Sequence, residues 1–85
     1  MIEFVLFDGG EALGRRLTEE RDGEKWYMRG QSYSTAENKW LDIPPADTVW
    51  QARTITKQGA EEFCRRNGID VDVLSESFGP QPDKT

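Results

Sequence analysis

Hydrophobic residues recur at strand-like intervals along most of this chain, and residues that favour turns separate the apolar stretches. The first stretch, residues 2–7 (IEFVLF), has apolar side chains on both of its faces and ends at Asp8-Gly9-Gly10, where a turn forms readily. A strand that is apolar on both faces has to be covered on both. The pattern therefore predicts an interior strand of a sheet at residues 2–7.

Residues 12–20 fit two kinds of element. Leu13, Arg15 and Leu17 fall on one side of an alternating pattern, as in a strand with one buried face, but the spacing of the two leucines also fits a short helix. The segment Arg21-Asp22-Gly23-Glu24 that follows is typical of a β-hairpin turn. The turn favours the strand, so we expect residues 12–20 to pair with the residues that come after it.

Three further strands are predicted, at residues 25–34, 39–43 and 48–53. Pro44-Pro45 ends the second of them, because proline cannot donate to a hydrogen-bonded ladder. In the first of them, alternation places Trp26 and Met28 on one face. The other face then carries Tyr27, Arg29, Gln31 and Tyr33.

The clearest single element is a helix at about residues 56–67. Thr56, or alternatively Thr54, is placed to cap its N-terminus, and Gly68 is placed to end it. One face carries a short stripe at helical spacing, which consists of Ala60, Phe63, Cys64 and Asn67. Because the other members of the stripe are small or polar, Phe63 has to supply most of the burial.

After the helix, residues 69–74 alternate strictly between apolar and polar, which predicts one more half-buried strand. The residues that follow include Gly79, Pro80 and Pro82. We therefore expect a single compact domain at residues 1–75 and a poorly ordered tail at residues 76–85. Phe78 is the tail residue most able to dock on the domain.

Together these elements predict an α+β fold: a small antiparallel β-sheet of four to six strands, connected as a meander, with one α-helix (about 56–67) packed on one face. A chain of 85 residues is near the lower limit for a single hydrophobic core. One cysteine cannot form an internal disulfide. Stability therefore has to come from packing and backbone pairing, or from a partner subunit.

The available chemistry is narrow, because the chain contains no histidine and a single cysteine, Cys64. Histidine is the usual general base and metal ligand near neutral pH. Asp70 and Asp72 lack the ligand pattern of a calcium loop, and Asp8-Gly9-Gly10 lacks that of a phosphate-binding loop. We therefore predict a protein that is not an enzyme, with no catalytic residues, no metal site and no cofactor. Cys64 is interpreted as a small buried hydrophobe.

The net charge of −5 argues against double-stranded DNA or an anionic membrane as the partner, since both require a cationic face. No apolar run approaches the roughly 20 residues that a membrane-spanning helix needs. The apolar run at residues 2–7 is also too short for the core of a signal peptide. A lone thiol suits a reducing compartment, so the sequence predicts a cytoplasmic protein.

A contact surface is expected in the middle of the chain. Residues 25–53 carry all three tryptophans, with four basic and three acidic side chains, whereas both flanking segments are net acidic. Tryptophan, tyrosine and arginine are enriched at protein–protein hot spots. Our first hypothesis is a protein-binding module, an inhibitor or adaptor, that contacts another protein through an aromatic sheet face. A homodimer is a further option. The candidate residues are Tyr27, Arg29, Tyr33, Lys39, Trp40 and Trp50.

Two alternatives use other properties of the chain. The same aromatic and basic hairpin has the residue types that stack and hold single-stranded nucleic acid. A cluster of carboxylates could instead imitate a phosphate backbone and block a nucleic-acid-binding target, as some small phage-encoded inhibitors do. Its members are Glu19, Glu20, Asp22 and Glu24, which also fit ordinary solvated charge. The length, acidity and α+β pattern are typical of small phage or bacterial accessory proteins, and no motif identifies a family.

Overall fold

The computed structural model describes residues 1–80 of the chain. Within this part, five antiparallel strands form one sheet and one α-helix packs on it, which confirms the predicted α+β fold. The elements are β1 (Ile2–Phe7), β2 (Ala12–Arg21), β3 (Glu24–Ser34), β4 (Lys39–Ile43), β5 (Arg53–Ile55) and α1 (Lys57–Arg66). Short 3₁₀ turns lie at Asp8–Gly10, Pro45–Thr48 and Val71–Ser75. No helix in residues 1–80 has the length and apolar character needed to cross a membrane.

The strands lie in the order β4-β3-β2-β1-β5. The first four follow one another as a meander, and the chain then returns to pair β5 with the other edge of β1. β1 thus has a neighbour on each side, as its two apolar faces predict. Residues 12–20 lie in the strand β2. At the β2–β3 turn, Asp22 and Gly23 have φ values of 53° and 80°, the left-handed backbone that a tight hairpin requires.

The hydrophobic core lies between α1 and one face of the sheet, which we call the helix side. Its buried members are Phe4, Leu6, Leu13, Ala60, Phe63, Cys64, Val73 and Leu74. The three members from α1 belong to the stripe that helical spacing predicts. The core therefore depends on three side chains of the short helix α1 and on the 3₁₀ turn Val71–Ser75 that follows it.

The helix predicted at about residues 56–67 is confirmed together with its ends. The Thr56 hydroxyl accepts a hydrogen bond from the amide of Gly59 (3.0 Å), which caps the N-terminus. Gly68 has a φ of 69°, and the amide after it, on Ile69, donates to the carbonyl of Cys64 (2.8 Å). Local capping residues thus define both ends of α1.

The opposite face, the helix-free side, is covered in part by the Pro45–Thr48 turn. Gly30 of β3 makes room for it: a Cβ there would lie 2.7 Å from Cγ2 of Thr48 and 3.2 Å from Cα of Pro45. Thr48 is fully buried, and its carbonyl accepts a hydrogen bond from Nη1 of Arg16 (2.8 Å). Close packing and a buried arginine therefore fix this turn to the sheet.

Two cations converge on Glu3 on the same side. Nζ of Lys25 donates to Oε2 of Glu3 (2.8 Å), and Nε of Arg16 donates to Oε1 (2.9 Å). The hydrogen bond from Lys25 is the main reason that the pKa of Glu3 lies below its ordinary value of 4.5; partial burial opposes this shift, and Arg16 adds to it. Glu3 is therefore ionised at neutral pH and links β1 to Arg16 of β2 and Lys25 of β3.

Acid is expected to remove the stabilisation that ionised Glu3 gives to the fold. Because the pKa of Glu3 is lower in the folded than in the unfolded chain, its stabilisation is complete above the unfolded value of 4.5 and is lost as the pH falls through the folded value. Glu3→Gln should lower the free energy of unfolding at neutral pH by about 1–2 kcal/mol. It should also flatten the decline of that free energy below about pH 5.

Urea unfolding at pH values between about 3 and 7 measures both effects of Glu3→Gln. Glu62→Gln is the matched control, because Glu62 is an exposed carboxylate on α1. If Glu3→Gln and the wild type showed the same pH dependence, the role assigned to Glu3 would be wrong.

The strand predicted at residues 48–53 is wrong. The chain instead forms the 3₁₀ turn Pro45–Thr48, continues through a turn at residues 49–51, and pairs with β1 only from Arg53. Proline at the first position favours a helical turn. Gln51, with a φ of 56°, then reverses the chain before β5.

The strand predicted at residues 69–74 is also wrong. The side chain of Asp70 accepts a hydrogen bond from the amide two residues on (2.9 Å) and begins the 3₁₀ turn Val71–Ser75. This turn buries Val73 and Leu74 together, although they are adjacent in sequence. The alternation of apolar and polar residues predicted a strand because that pattern does not show that the side chain of Asp70 can cap a helical turn.

A β-bulge at Met28 changes the face on which Tyr27 lies. Leu17 pairs with Arg29 but Thr18 pairs with Tyr27, so Met28 is an extra residue in β3. Tyr27 therefore lies on the helix-free side, and Arg29 lies on the helix side. The prediction that the two share a face is wrong, because strict alternation does not allow for an inserted residue.

The predicted tail at residues 76–85 is described only in part. Residues 81–85 lie outside the described residues. Residues 76–79 run across the helix side of the sheet, where side chains of β2 and β3 bind them. Phe78 docks there, as its apolar character in a polar segment suggests.

Candidate functional site

Four polar side chains lie on the helix side of the sheet, beside the hydrophobic core. We call them the polar cluster: Arg15, Arg29, Gln31 and Asp42. Arg15 is fully buried, and Arg29 is 8% exposed. The strand register places Gln31 opposite both Arg15 and Asp42, so three neighbouring strands contribute to one patch.

Hydrogen bonds link the four side chains. Nε of Arg15 donates to Oε1 of Gln31 (2.8 Å), and Nε2 of Gln31 donates to Oδ1 of Asp42 (3.1 Å). The same oxygen accepts from Nη2 of Arg29 (2.6 Å). Desolvation lowers the pKa of Arg15 to about 10, which leaves it protonated at neutral pH. Arg29 thus bonds the carboxylate of Asp42 directly, and Arg15 is linked to it through Gln31. Two guanidiniums and one carboxylate leave the cluster with an excess of positive charge.

Residues 76–79 lie across the polar cluster, and we call this segment the C-terminal strap. Its carbonyl oxygens are the groups that the cluster binds. Five hydrogen bonds from side chains of the sheet hold four successive carbonyls. They run from Arg15 to Glu76 (2.6 Å) and Ser77 (3.1 Å), from Arg29 to Phe78 (3.0 Å) and Gly79 (2.7 Å), and from Gln31 to Phe78 (3.0 Å).

Aromatic rings pack against the guanidinium of Arg15. Its central carbon lies 4.3 Å from the ring centroid of Trp40 and 4.2 Å from that of Phe78. Nε1 of Trp40 donates to the carbonyl of Val73 (2.9 Å), and Tyr33 packs edge-on against the indole with centroids 5.2 Å apart. Cation–π contacts therefore join the sheet and the strap through one charged group.

Sequence reasoning missed Arg15, Gln31 and Asp42 as site residues. A signal for Arg15 was present, because it shares the inward side of β2 with Leu13 and Leu17, and a buried charge needs partners. The strap had no comparable signal. Its contact with Arg15 joins residues 61 positions apart in the sequence, and no local pattern reports such a contact.

A second candidate lies on the helix-free side, where large apolar residues are exposed. The strand register places the exposed Tyr27 and Leu41 on this side, and the exposed Val49 and Trp50 follow the turn that packs against it. We call these four residues the aromatic surface. Trp50 has the most exposed aromatic ring in residues 1–80, at 75%. It is the second residue after the Pro45–Thr48 turn, and its amide donates to the carbonyl of Ala46 (3.2 Å). The indole is therefore presented by a turn that is fixed to the sheet.

The six residues predicted to bind a partner do not form one surface. Three lie on the helix side, at or beside the polar cluster, and are buried or half-buried: Arg29, Tyr33 and Trp40. Two belong to the aromatic surface: Tyr27 and Trp50. The sixth, Lys39, is exposed on the edge strand β4 and pairs with Glu37 (3.6 Å). Their roles in binding stay predictions.

The carboxylates of the predicted acidic surface lie together at the β2–β3 hairpin and are all exposed: Glu19, Glu20, Asp22 and Glu24. Basic residues are interspersed among them. Arg21 bonds Glu19 (3.1 Å) and lies over the ring of Trp26, and Lys25 reaches Glu3. The hairpin is therefore of mixed charge, and imitation of a phosphate backbone stays a prediction.

Cys64 is fully buried beneath α1, and burial raises the pKa of its thiol. It packs in the hydrophobic cluster, in agreement with its interpretation as a small buried hydrophobe. Within residues 1–80, no three carboxylate or thiol side chains come together in an arrangement that would hold a metal ion.

The chain was compared with models of protein families, with characterised proteins and with solved structures, and nothing in the three sets matches it. Function is therefore inferred from the residues and their geometry. Two features guide that inference: the exposed aromatic surface and the buried polar cluster.

Proposed function

We propose that this chain is a small protein-binding module without enzymatic activity, an inhibitor or an adaptor, and that it contacts its partner through the aromatic surface. The observation that carries this proposal is the position of Trp50. This residue is 75% exposed, in a chain short enough that every large apolar side chain matters to the core. In the free protein it adds little to folding, whereas at an interface it buries a large apolar area.

The way in which Trp50 is held supports the proposal. The Pro45–Thr48 turn is anchored by close packing on Gly30 and by the hydrogen bond from Arg16. Association costs conformational entropy when mobile side chains become ordered. The anchored turn already orders the backbone beneath Trp50, so binding has only the side chain to order, which suits this residue to act as a hot spot.

Tyr27 adds a second aromatic ring to the same side of the sheet. The guanidinium of Arg16 lies 5.0 Å from the centroid of the Tyr27 ring, which fixes one face of the ring and leaves the residue 38% exposed. Arg16 therefore supports both the ring of Tyr27 and the turn that carries Trp50. One buried side chain thus orders two parts of the aromatic surface.

The single-stranded nucleic-acid alternative receives less support from the geometry. Such binding requires cations that are accessible beside exposed rings. Arg29 instead donates to Asp42 and to the strap, and Lys39 pairs with Glu37. The protein-binding proposal has no such requirement.

Trp50→Ala is expected to weaken binding of the partner by about 1–2 kcal/mol, or about five- to thirtyfold in Kd, because it removes a hot-spot side chain. The free energy of unfolding should stay within about 0.5 kcal/mol of the wild type, since the indole is exposed. A photo-crosslinking amino acid at position 49, which is exposed beside Trp50, identifies the partner of the full chain in the source cell. Calorimetric titration of the purified partner then measures Kd.

Trp26→Ala is the matched control for Trp50→Ala. It removes another exposed indole, at the β2–β3 hairpin and outside the aromatic surface. A loss of affinity confined to Trp50→Ala supports the proposal. No loss in Trp50→Ala, or an equal loss in both variants, would show that the aromatic surface is not the interface.

A further inference from the structure

The C-terminal strap is bound in the manner of a peptide ligand. It joins no strand of the sheet, and all five hydrogen bonds from the polar cluster go to its main-chain carbonyls. Recognition of main-chain groups provides affinity for a peptide with little dependence on its side chains. The cluster therefore binds a backbone, and a side-chain contact beside it has to supply any selectivity.

Phe78 provides that selectivity. Its ring centroid lies 4.2 Å from the guanidinium carbon of Arg15 and 5.5 Å from that of Arg29. Phe78 is half-buried, whereas the other three residues of the strap are exposed. Gly79 follows with a φ of 76°, which a side chain would strain. The site thus selects an aromatic residue followed by glycine.

Release of the strap uncovers the donors of the polar cluster and exposes the ring of Phe78. Arg15, Arg29 and Gln31 lie beneath it, and water can solvate their donors once the carbonyls leave. Release of α1 would instead expose Phe63 and the apolar core. The strap can therefore exchange with a competitor while the rest of the fold stays intact.

The strap does not provide an acceptor for every buried donor of the polar cluster. Nε of Arg29 is buried, and among the described residues it has no hydrogen-bond acceptor. Arg29 itself is more than nine-tenths buried, and its other nitrogens point at the strap and at Asp42. A buried donor without an acceptor has lost its hydrogen bond to water and gained none in return. A ligand that brings one more acceptor would bind this site better than the strap does.

We propose that the polar cluster, together with Trp40, is a recognition site for an extended peptide of another protein, and that the strap is an intramolecular competitor for it. The strap defines the ligand: successive main-chain carbonyls, an aromatic residue and then glycine. The excess positive charge of the cluster favours an acidic residue two positions before the aromatic one, as Glu76 is in the strap. The site lies across the sheet from the aromatic surface and does not depend on it.

A fluorescein-labelled peptide with the sequence of residues 75–80 (SESFGP) tests the proposal on the full chain. Phe78→Ala weakens the internal competitor, so this variant should bind the peptide about tenfold more tightly than the wild type does, as measured by fluorescence anisotropy. The matched control is the same peptide with alanine in place of phenylalanine. It should bind Phe78→Ala about tenfold more weakly than SESFGP does.

Other outcomes would overturn the proposal. One is a folded Phe78→Ala chain, by circular dichroism, that binds neither peptide. Another is exchange of the strap between two copies, seen as a dimer by light scattering, because the occupant would then be a second copy. If Phe78→Ala does not fold, the wild type is titrated with SESFGP and followed by NMR. A shift of the Arg29 Nε–H resonance supports the site, and its absence at saturating peptide would refute it.

Discussion

Replacing Phe63 by alanine is expected to lower the free energy of unfolding by about 3–5 kcal/mol. Phe63 is 5% exposed and is the one large side chain that α1 buries, since its neighbours in the stripe are Ala60 and Cys64. The cavity left by the ring would lie between the helix and the sheet. Because small domains have total stabilities near the lower end of about 5–15 kcal/mol, this single change should leave much of the chain unfolded.

Urea unfolding followed by circular dichroism measures the effect of Phe63→Ala. Phe63→Leu is the matched control: it keeps most of the apolar volume and should cost about 1 kcal/mol. A loss in Phe63→Ala no larger than the loss in Phe63→Leu would mean that α1 contributes little to the core.

Replacing Arg15 by alanine is expected to lower the free energy of unfolding by about 2–4 kcal/mol. The change leaves Oε1 of Gln31 without its donor and removes the hydrogen bonds to the carbonyls of Glu76 and Ser77. It also removes the group against which Trp40 and Phe78 pack. Arg15 has the largest fully buried side chain of the described residues, so a cavity adds to the loss.

Arg15→Met shows how much of the decrease in the free energy of unfolding comes from lost packing and how much from lost hydrogen bonds. Methionine fills much of the volume of the arginine stem but donates no hydrogen bond, and buried ionic groups can sometimes be replaced by apolar ones at no cost. We expect Arg15→Met to be less stable than the wild type and more stable than Arg15→Ala by urea unfolding. A methionine variant as stable as the wild type would show that the hydrogen bonds of Arg15 contribute nothing net to folding.

Most of the fold could be predicted because its determinants are local. The β2–β3 turn is specified by Asp22-Gly23, and α1 is delimited by the hydroxyl of Thr56 and by Gly68. The predictions for residues 48–53 and 69–74 were wrong because short 3₁₀ turns form there or just before. Pro45 begins the turn that leads into the first segment, and the side chain of Asp70 caps the turn in the second; hydrophobic alternation indicates neither.

The candidate site could be predicted only in part. Aromatic residues were assigned to a contact surface from composition, and Trp50 is indeed exposed. Their grouping depended on strict alternation, and the bulge at Met28 places Tyr27 across the sheet from Arg29. The polar cluster is completed by the strap, which lies far away in the sequence. Partners so distant become neighbours only through the tertiary fold.

The burial of Cys64 beneath α1 has a practical consequence for experiments on this protein. A water-soluble alkylating reagent can reach the only thiol of the chain when the helix lifts from the sheet, and burial keeps that thiol protonated and unreactive until then. The rate of Cys64 alkylation, measured by mass spectrometry, thus reports how often α1 opens from the sheet. Detachment of the strap alone would not expose Cys64, so this rate distinguishes opening of the core from release of the strap.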